Sequence, residues 1–218
     1  GISTGWQKYK ESNMQLHGPE LGLVSRWQMS ENFRLEGQIS LARLTYKSPI
    51  SGHIHGVHQS EGSLQLLGPA MTAGSGGKIE PSLQWHYTYN DLRGPSSTGQ
   101  RGYERHLNNL WVGARWTQSL NASTWPMNSY SIELQSLVQG RQQSKVSQAG
   151  PSYSDVLTKT QHGWALGVQG NIPTAQGLAN PYLRLQRLNR SNTVFNGVGY
   201  AAEPANDKVW IGVNWWFN

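Results

Sequence analysis

The stretch "PSLQWHYTYN" sets Leu83, Trp85, Tyr87 and Tyr89 on one parity and Ser82, Gln84, His86 and Thr88 on the other. Successive strand side chains point to opposite faces, so this pattern fits a strand with one apolar and one polar side and does not fit a helix. The same parity recurs along the chain. Phe33, Leu35, Ile39 and Leu41 oppose Arg34, Glu36, Gln38 and Ser40, and Leu110, Val112, Ala114 and Trp116 oppose Trp111, Gly113, Arg115 and Thr117. Trp164, Leu166 and Val168 oppose Ala165, Gly167 and Gln169. Helical periodicity is scarce, and the chain is all-β.

Ten strands are expected, at 2–10, 14–29, 33–47, 54–71, 78–91, 103–119, 128–145, 157–172, 180–194 and 207–217, with eight and twelve the neighbouring even counts. The connections fall into two alternating sets. "SEN", "AGSGG", "NASTWP" and "PTAQGLAN" are mostly short, whereas "KSPISGHIHG", "DLRGPSSTGQRG", "SQAGPSYSD" and "NGVGYAAEPAND" are longer. An antiparallel meander with turns at one end and loops at the other follows, as one domain over residues 1–218.

Composition decides which way such a meander faces. No apolar run reaches the ~18 residues that a spanning helix needs, so a helical membrane protein is excluded. Alternation alone fits both a soluble barrel, which would be a ligand carrier, and a barrel with its apolar face outward. The chain carries 10 Trp and 9 Tyr against 3 Phe, and these amphipathic rings recur towards strand ends. Rings with polar tips suit a membrane interface better than a dry core.

The chain closes on "KVWIGVNWWFN", where Val209, Ile211, Val213, Trp215 and Phe217 share one parity. The meander, the alternating connection lengths and this aromatic closing strand resemble the bacterial outer-membrane β-barrel class. The resemblance implies an up-and-down transmembrane barrel in a Gram-negative outer membrane, closed by its last strand and inserted by the barrel-insertion machinery. Asn218, following Phe217, departs from the class, which usually ends on the aromatic itself. The abrupt start at "GISTGWQKY" reads as a processed product whose export signal has been cleaved.

In such a barrel the polar parity lines the lumen. Glu20, Glu36, Glu80 and Glu133 then face Arg26, Arg34, Arg115 and Arg184, with His86 beside them. Enclosed charges need partners, so a salt-bridge network filling the interior is expected, and a polar translocation path for small solutes is the alternative.

The formal charge of +6 invites a nucleic-acid reading, but no basic run supports one. With loops outward, Lys47, Arg93, Arg101, Arg105, Arg141, Lys145, Arg187 and Arg190 fall near the outer rim, as do Lys8, Lys10, Arg43, Lys159 and Lys208. A basic collar there suits phosphorylated lipopolysaccharide, or a protein partner.

"SGHIHGVHQSEG" holds His53, His55 and His58, a candidate metal or haem set completed by no thiol and only Glu61 as a nearby carboxylate. An omptin-like protease would demand acidic pairs with a histidine near the rim, from Asp91, Glu104, His106, Asp155, Glu203 and Asp207, yet no spacing enforces that assembly. A lipid A acyltransferase or deacylase would need a Ser–His partnership that the many serines do not single out. "GPAMTAGSGGKIEP" is a turn rather than a phosphate loop, and no cofactor is expected. The function expected first is a narrow channel, with a closed structural or interaction barrel as the alternative.

Overall fold

The computed structural model describes residues 1–11, 14–47, 54–74, 76–92, 102–121, 126–147, 153–190, 194–195, 198–199 and 206–217. Thirteen strands run in chain order: β1 (Ile2–Glu11), β2 (Met14–Gln28), β3 (Arg34–Lys47), β4 (Ile54–Leu67), β5 (Met71–Ala73), β6 (Gly77–Leu92) and β7 (Gly102–Ser119), followed by β8 (Ser129–Ser147), β9 (Tyr153–Thr174), β10 (Gly177–Arg190), β11 (Val194–Phe195), β12 (Val198–Gly199) and β13 (Asn206–Phe217). The ten long ones form an antiparallel meander that closes on itself. β13 pairs with β10 on one side, Gly177 opposite Phe217, and with β1 on the other, Ile2 opposite Trp215. Closure leaves no long strand with a bare edge, which is what a chain in hydrocarbon requires.

The expected strand at 54–71 divides into β4 and β5. Pro69 has no N–H to give a ladder, and the Gly68 amide turns to the Pro81 carbonyl at 2.8 Å instead. β5 then folds back on β6 through a tight turn where Gly74 and Gly76 take φ of 57° and 87°, the left-handed region that favours glycine. The ladder between β7 and β8 shifts register after Leu110, so Val138 becomes an extra residue and both Val138 and Gln139 stay outward.

Polarity is inverted relative to a soluble barrel. Leu21, Leu23, Ile39, Leu41 and Leu134 are 61 to 68% exposed on the outer wall, while Ser3, Gln7 and Asn180 are fully buried inside. A soluble ligand-carrying barrel is therefore overturned, since its apolar parity would face inward. Rings edge the apolar band. Trp27, Phe33, Trp215 and Phe217 lie towards the turn end, where Trp116 also meets Tyr130 edge to face at 5.5 Å, and Trp85 stacks on Tyr87 at 6.2 Å nearer the loops.

The loop-end half of the lumen departs from this rule. Leu16, Ala42, Leu44 and Val57 form one buried apolar cluster on the β2–β4 wall, and Trp111, Leu137, Ala165 and Leu188 form another on the facing wall. All eight occupy the inward parity.

Candidate functional site: the polar lumen

Below those clusters the lumen is charged. At the turn end Glu36 collects three guanidinium groups: Arg26 Nε at 3.0 Å, Arg34 Nε at 3.2 Å and Arg115 Nη1 at 2.9 Å. Arg34 also reaches Glu80 at 3.2 Å, and Arg115 Nη2 reaches Glu133 at 3.4 Å while donating to Gln65 Oε1 at 2.8 Å. These contacts cross between walls, because β3, β6, β7 and β8 each contribute. The carboxylates are half-buried or buried and each has at least one cation, as enclosed charge demands.

A second group lies higher. Glu61 on β4 is ion-paired to Lys208 on β13, accepts from Trp210 Nε1 at 3.3 Å and faces His86 Nε2 at 3.8 Å. Lys208 also sits over the Trp210 ring, 4.1 Å from its centre. Gln59 donates to Glu61 and to Gln7 Oε1, the latter at 3.1 Å, extending the bridge to β1. Glu20 is buried and accepts from Gln38 Nε2 at 3.5 Å, and Arg184 Nη2 donates to Gln84 Oε1 at 2.8 Å and Gln135 Oε1 at 2.7 Å.

Glu20, Arg26, Arg34, Glu36, Glu80, His86, Arg115, Glu133 and Arg184 thus all stand in the lumen. Glu61 and Lys208 belong there too and escaped the sequence reading. Lys208 is 5% exposed and Arg105 is 1% exposed, so both are interior residues, not members of an outer collar. Odd positions of β7 and even positions of β13 point inward, and that parity overrides their closeness to the loops.

Arg141 and Arg187 are exposed on the outer wall, as are Lys8, Lys10 and Arg43, and Arg187 pairs with Asp207 at 3.7 Å. Lys47, Lys145 and Arg190 stand at the loop ends of β3, β8 and β10, with side chains outside the described residues; Arg93 and Arg101 lie outside them altogether. Of the histidine set, His53 is outside the described residues, His55 falls in β4 with its side chain undescribed, and His58 is exposed. No cluster of three or more ligating side chains occurs among the described residues.

Asp91 and Glu104 face each other across β6 and β7 on the outward parity, and His106 Nδ1 lies 2.7 Å from the Tyr87 hydroxyl. Asp155 falls in β9 with an undescribed side chain, and Glu203 is outside the described residues. The acids and histidine weighed for proteolysis therefore do not converge on the lumen among the described residues.

Among the described residues, two hollows lie inside. One of about 160 Å³ lies at mid-lumen beside Glu61, His86, Arg184 and Trp210. The other, about 380 Å³, opens at the turn end between Lys78, Glu80, Arg34 and Asn171. Arg26 and Arg115 line both.

In the closing strand, Ile211, Trp215 and Phe217 are exposed and Val209 and Val213 half-buried on the outer wall. Trp216 points inward, donates from Nε1 to Asn180 Oδ1 at 2.5 Å and carries the Arg26 guanidinium 4.8 Å above its ring. Its inward parity is thus a polar contact, and Asn218 lies outside the described residues.

No protein-family model matches this sequence, and no curated protein does. Solved structures do. The chain is similar to the outer membrane protease OmpT from Escherichia coli, with a TM-score of 0.56 and 8% identity, over 97% of this chain and 91% of that one. It is also similar to the translocator domain of the autotransporter NalP from Neisseria meningitidis, with a TM-score of 0.46 and 12% identity, over 97% of this chain and 86% of that one. At such identities the likeness is one of fold. With the inverted polarity, the likeness to OmpT gives this chain the fold of a ten-stranded outer-membrane β-barrel.

Proposed function

We propose that this protein is a closed interaction barrel of the outer membrane, seated in the phosphorylated lipid leaflet by basic residues on its outer wall. The observation that carries the reading is the wall-to-wall bridging of the lumen: Arg115 joins β7 to β3 and β8, and Lys208 joins β13 to β4. A ten-stranded lumen is narrow, and bridges of this kind take up much of its cross-section.

Lys8, Lys10, Arg43, Arg141 and Arg187 are exposed on the outward parity in the loop-end portions of their strands. Their charge complements lipid phosphates, which accept from lysine and arginine in charge-assisted hydrogen bonds.

The narrow channel is the second reading, favoured by two hollows that share Arg26 and Arg115. Planar-bilayer recording separates the two. Silence in the wild type supports the closed barrel. Discrete ion-selective openings, abolished by blocking substitutions at Arg115 or Glu133, would establish the channel. Lipopolysaccharide binding should fall when Lys8, Arg43 and Arg141 are together changed to Gln, and unchanged binding would remove the collar from the account.

A further inference from the structure

We infer that the mid-lumen hollow is a binding site for a small organic carboxylate, held by Arg184. Arg26, Arg34, Arg115 and Lys208 each have a carboxylate oxygen as an ion-pair partner. Arg184 has two neutral amide oxygens, those of Gln84 and Gln135, and both bind the same nitrogen, Nη2. Its Nε and Nη1 have no acceptor among the described residues, and the side chain lines the hollow. Glu133 attracts this guanidinium through space but does not touch it, and a ligand anion in direct contact would lower the remaining cost of enclosing the charge. Arginine's planar fork also matches a carboxylate with two parallel hydrogen bonds.

The remaining walls specify the ligand further. The Trp210 ring, 5.9 Å from the Arg184 guanidinium, lines the hollow together with Val24 and Tyr182, offering an apolar surface for a short hydrocarbon tail. Glu36, Glu61 and Glu133 line it too, so a second negative charge would be repelled and a phosphate dianion disfavoured against a monocarboxylate. A volume of about 160 Å³ limits the tail to a few carbons. Entry is from the turn end, where the larger hollow abuts this one at Arg26 and Arg115. This site is independent of the proposed lipid collar.

The test is tryptophan fluorescence of the folded barrel in detergent micelles, titrated with butyrate, inorganic phosphate or butylammonium. Butyrate should give a saturable change in the wild type that neither other probe matches. Arg184→Gln should weaken it at least tenfold, with folding checked by heat-modifiable gel migration. Gln84→Glu gives Arg184 an internal counter-ion and should abolish butyrate binding by itself, so the inference stays testable if the arginine variant does not fold. No saturable change in the wild type, equal binding by phosphate or butylammonium, or undiminished butyrate binding in either variant would overturn it.

Discussion

Arg115 on β7 holds Glu36 on β3 through Nη1 at 2.9 Å and Glu133 on β8 through Nη2 at 3.4 Å, so one guanidinium joins three strands inside the barrel. Replacing it strands Glu133 without an ion-pair partner among the described residues, although Gln65 and Gln135 still donate to it. Arg115→Met should therefore lower unfolding free energy by about 3–5 kcal/mol, the usual cost of breaking a buried pair from one side. Urea unfolding in detergent or lipid measures it. Adding Glu133→Gln to the same chain should recover part of the loss.

Lys208 and Glu61 make the comparable bridge between β13 and β4. Lys208→Met and Glu61→Gln should each destabilise, and the double variant should fall short of their sum by about 1 kcal/mol or more, as contacting residues do. An additive double variant would mean that the two side chains do not interact in the folded barrel.

Leu134 is 62% exposed on the outer wall of β8. On a soluble protein Leu134→Lys would be nearly neutral. On a lipid-facing strand it should cost about 2–4 kcal/mol, falling towards the interfaces. Folding into vesicles at graded urea concentrations reads the difference.

Gly177, the first residue of β10 after its turn from β9, has φ of 143°, and a Cβ built there would overlap the Trp216 carbonyl oxygen. Gly177→Ala should lower stability by more than ~1 kcal/mol, since both the dihedral and the space oppose a side chain. The unfolding midpoint in detergent checks this, and a variant as stable as the wild type would show that the turn adapts.

Strand parity was legible wherever apolar and polar residues differed clearly, which is why Arg34, Glu36, Arg115 and Glu133 could be assigned to the lumen from sequence. Glu61 was obscured because its neighbours Ser60, Gly62 and Ser63 carry little polarity contrast. Lys208 was misassigned for a different reason: it stands near a strand end, and that position was weighed above its shared parity with Trp210 and Asn214. Arg105 repeats the error on β7. Inward Leu16, Leu44, Val57 and Leu137 could not be read by a rule that sends apolar residues to lipid, and the extra residue at Val138 changes parity within one strand. Which cations meet which carboxylates depends on chain folding across the ring, so no local pattern carries it.

The two apolar clusters in the loop-end half have a consequence for how the bore responds to salt. Exposed ion pairs weaken as salt screens them, buried ones much less, and packed aliphatic and indole groups not at all. Leu16, Ala42, Leu44 and Val57 on one wall and Trp111, Leu137, Ala165 and Leu188 on the other narrow the bore by volume. A bore narrowed at that height by packed groups keeps its width at any ionic strength, and the buried pairs below it are shielded from salt far better than those on the outer wall.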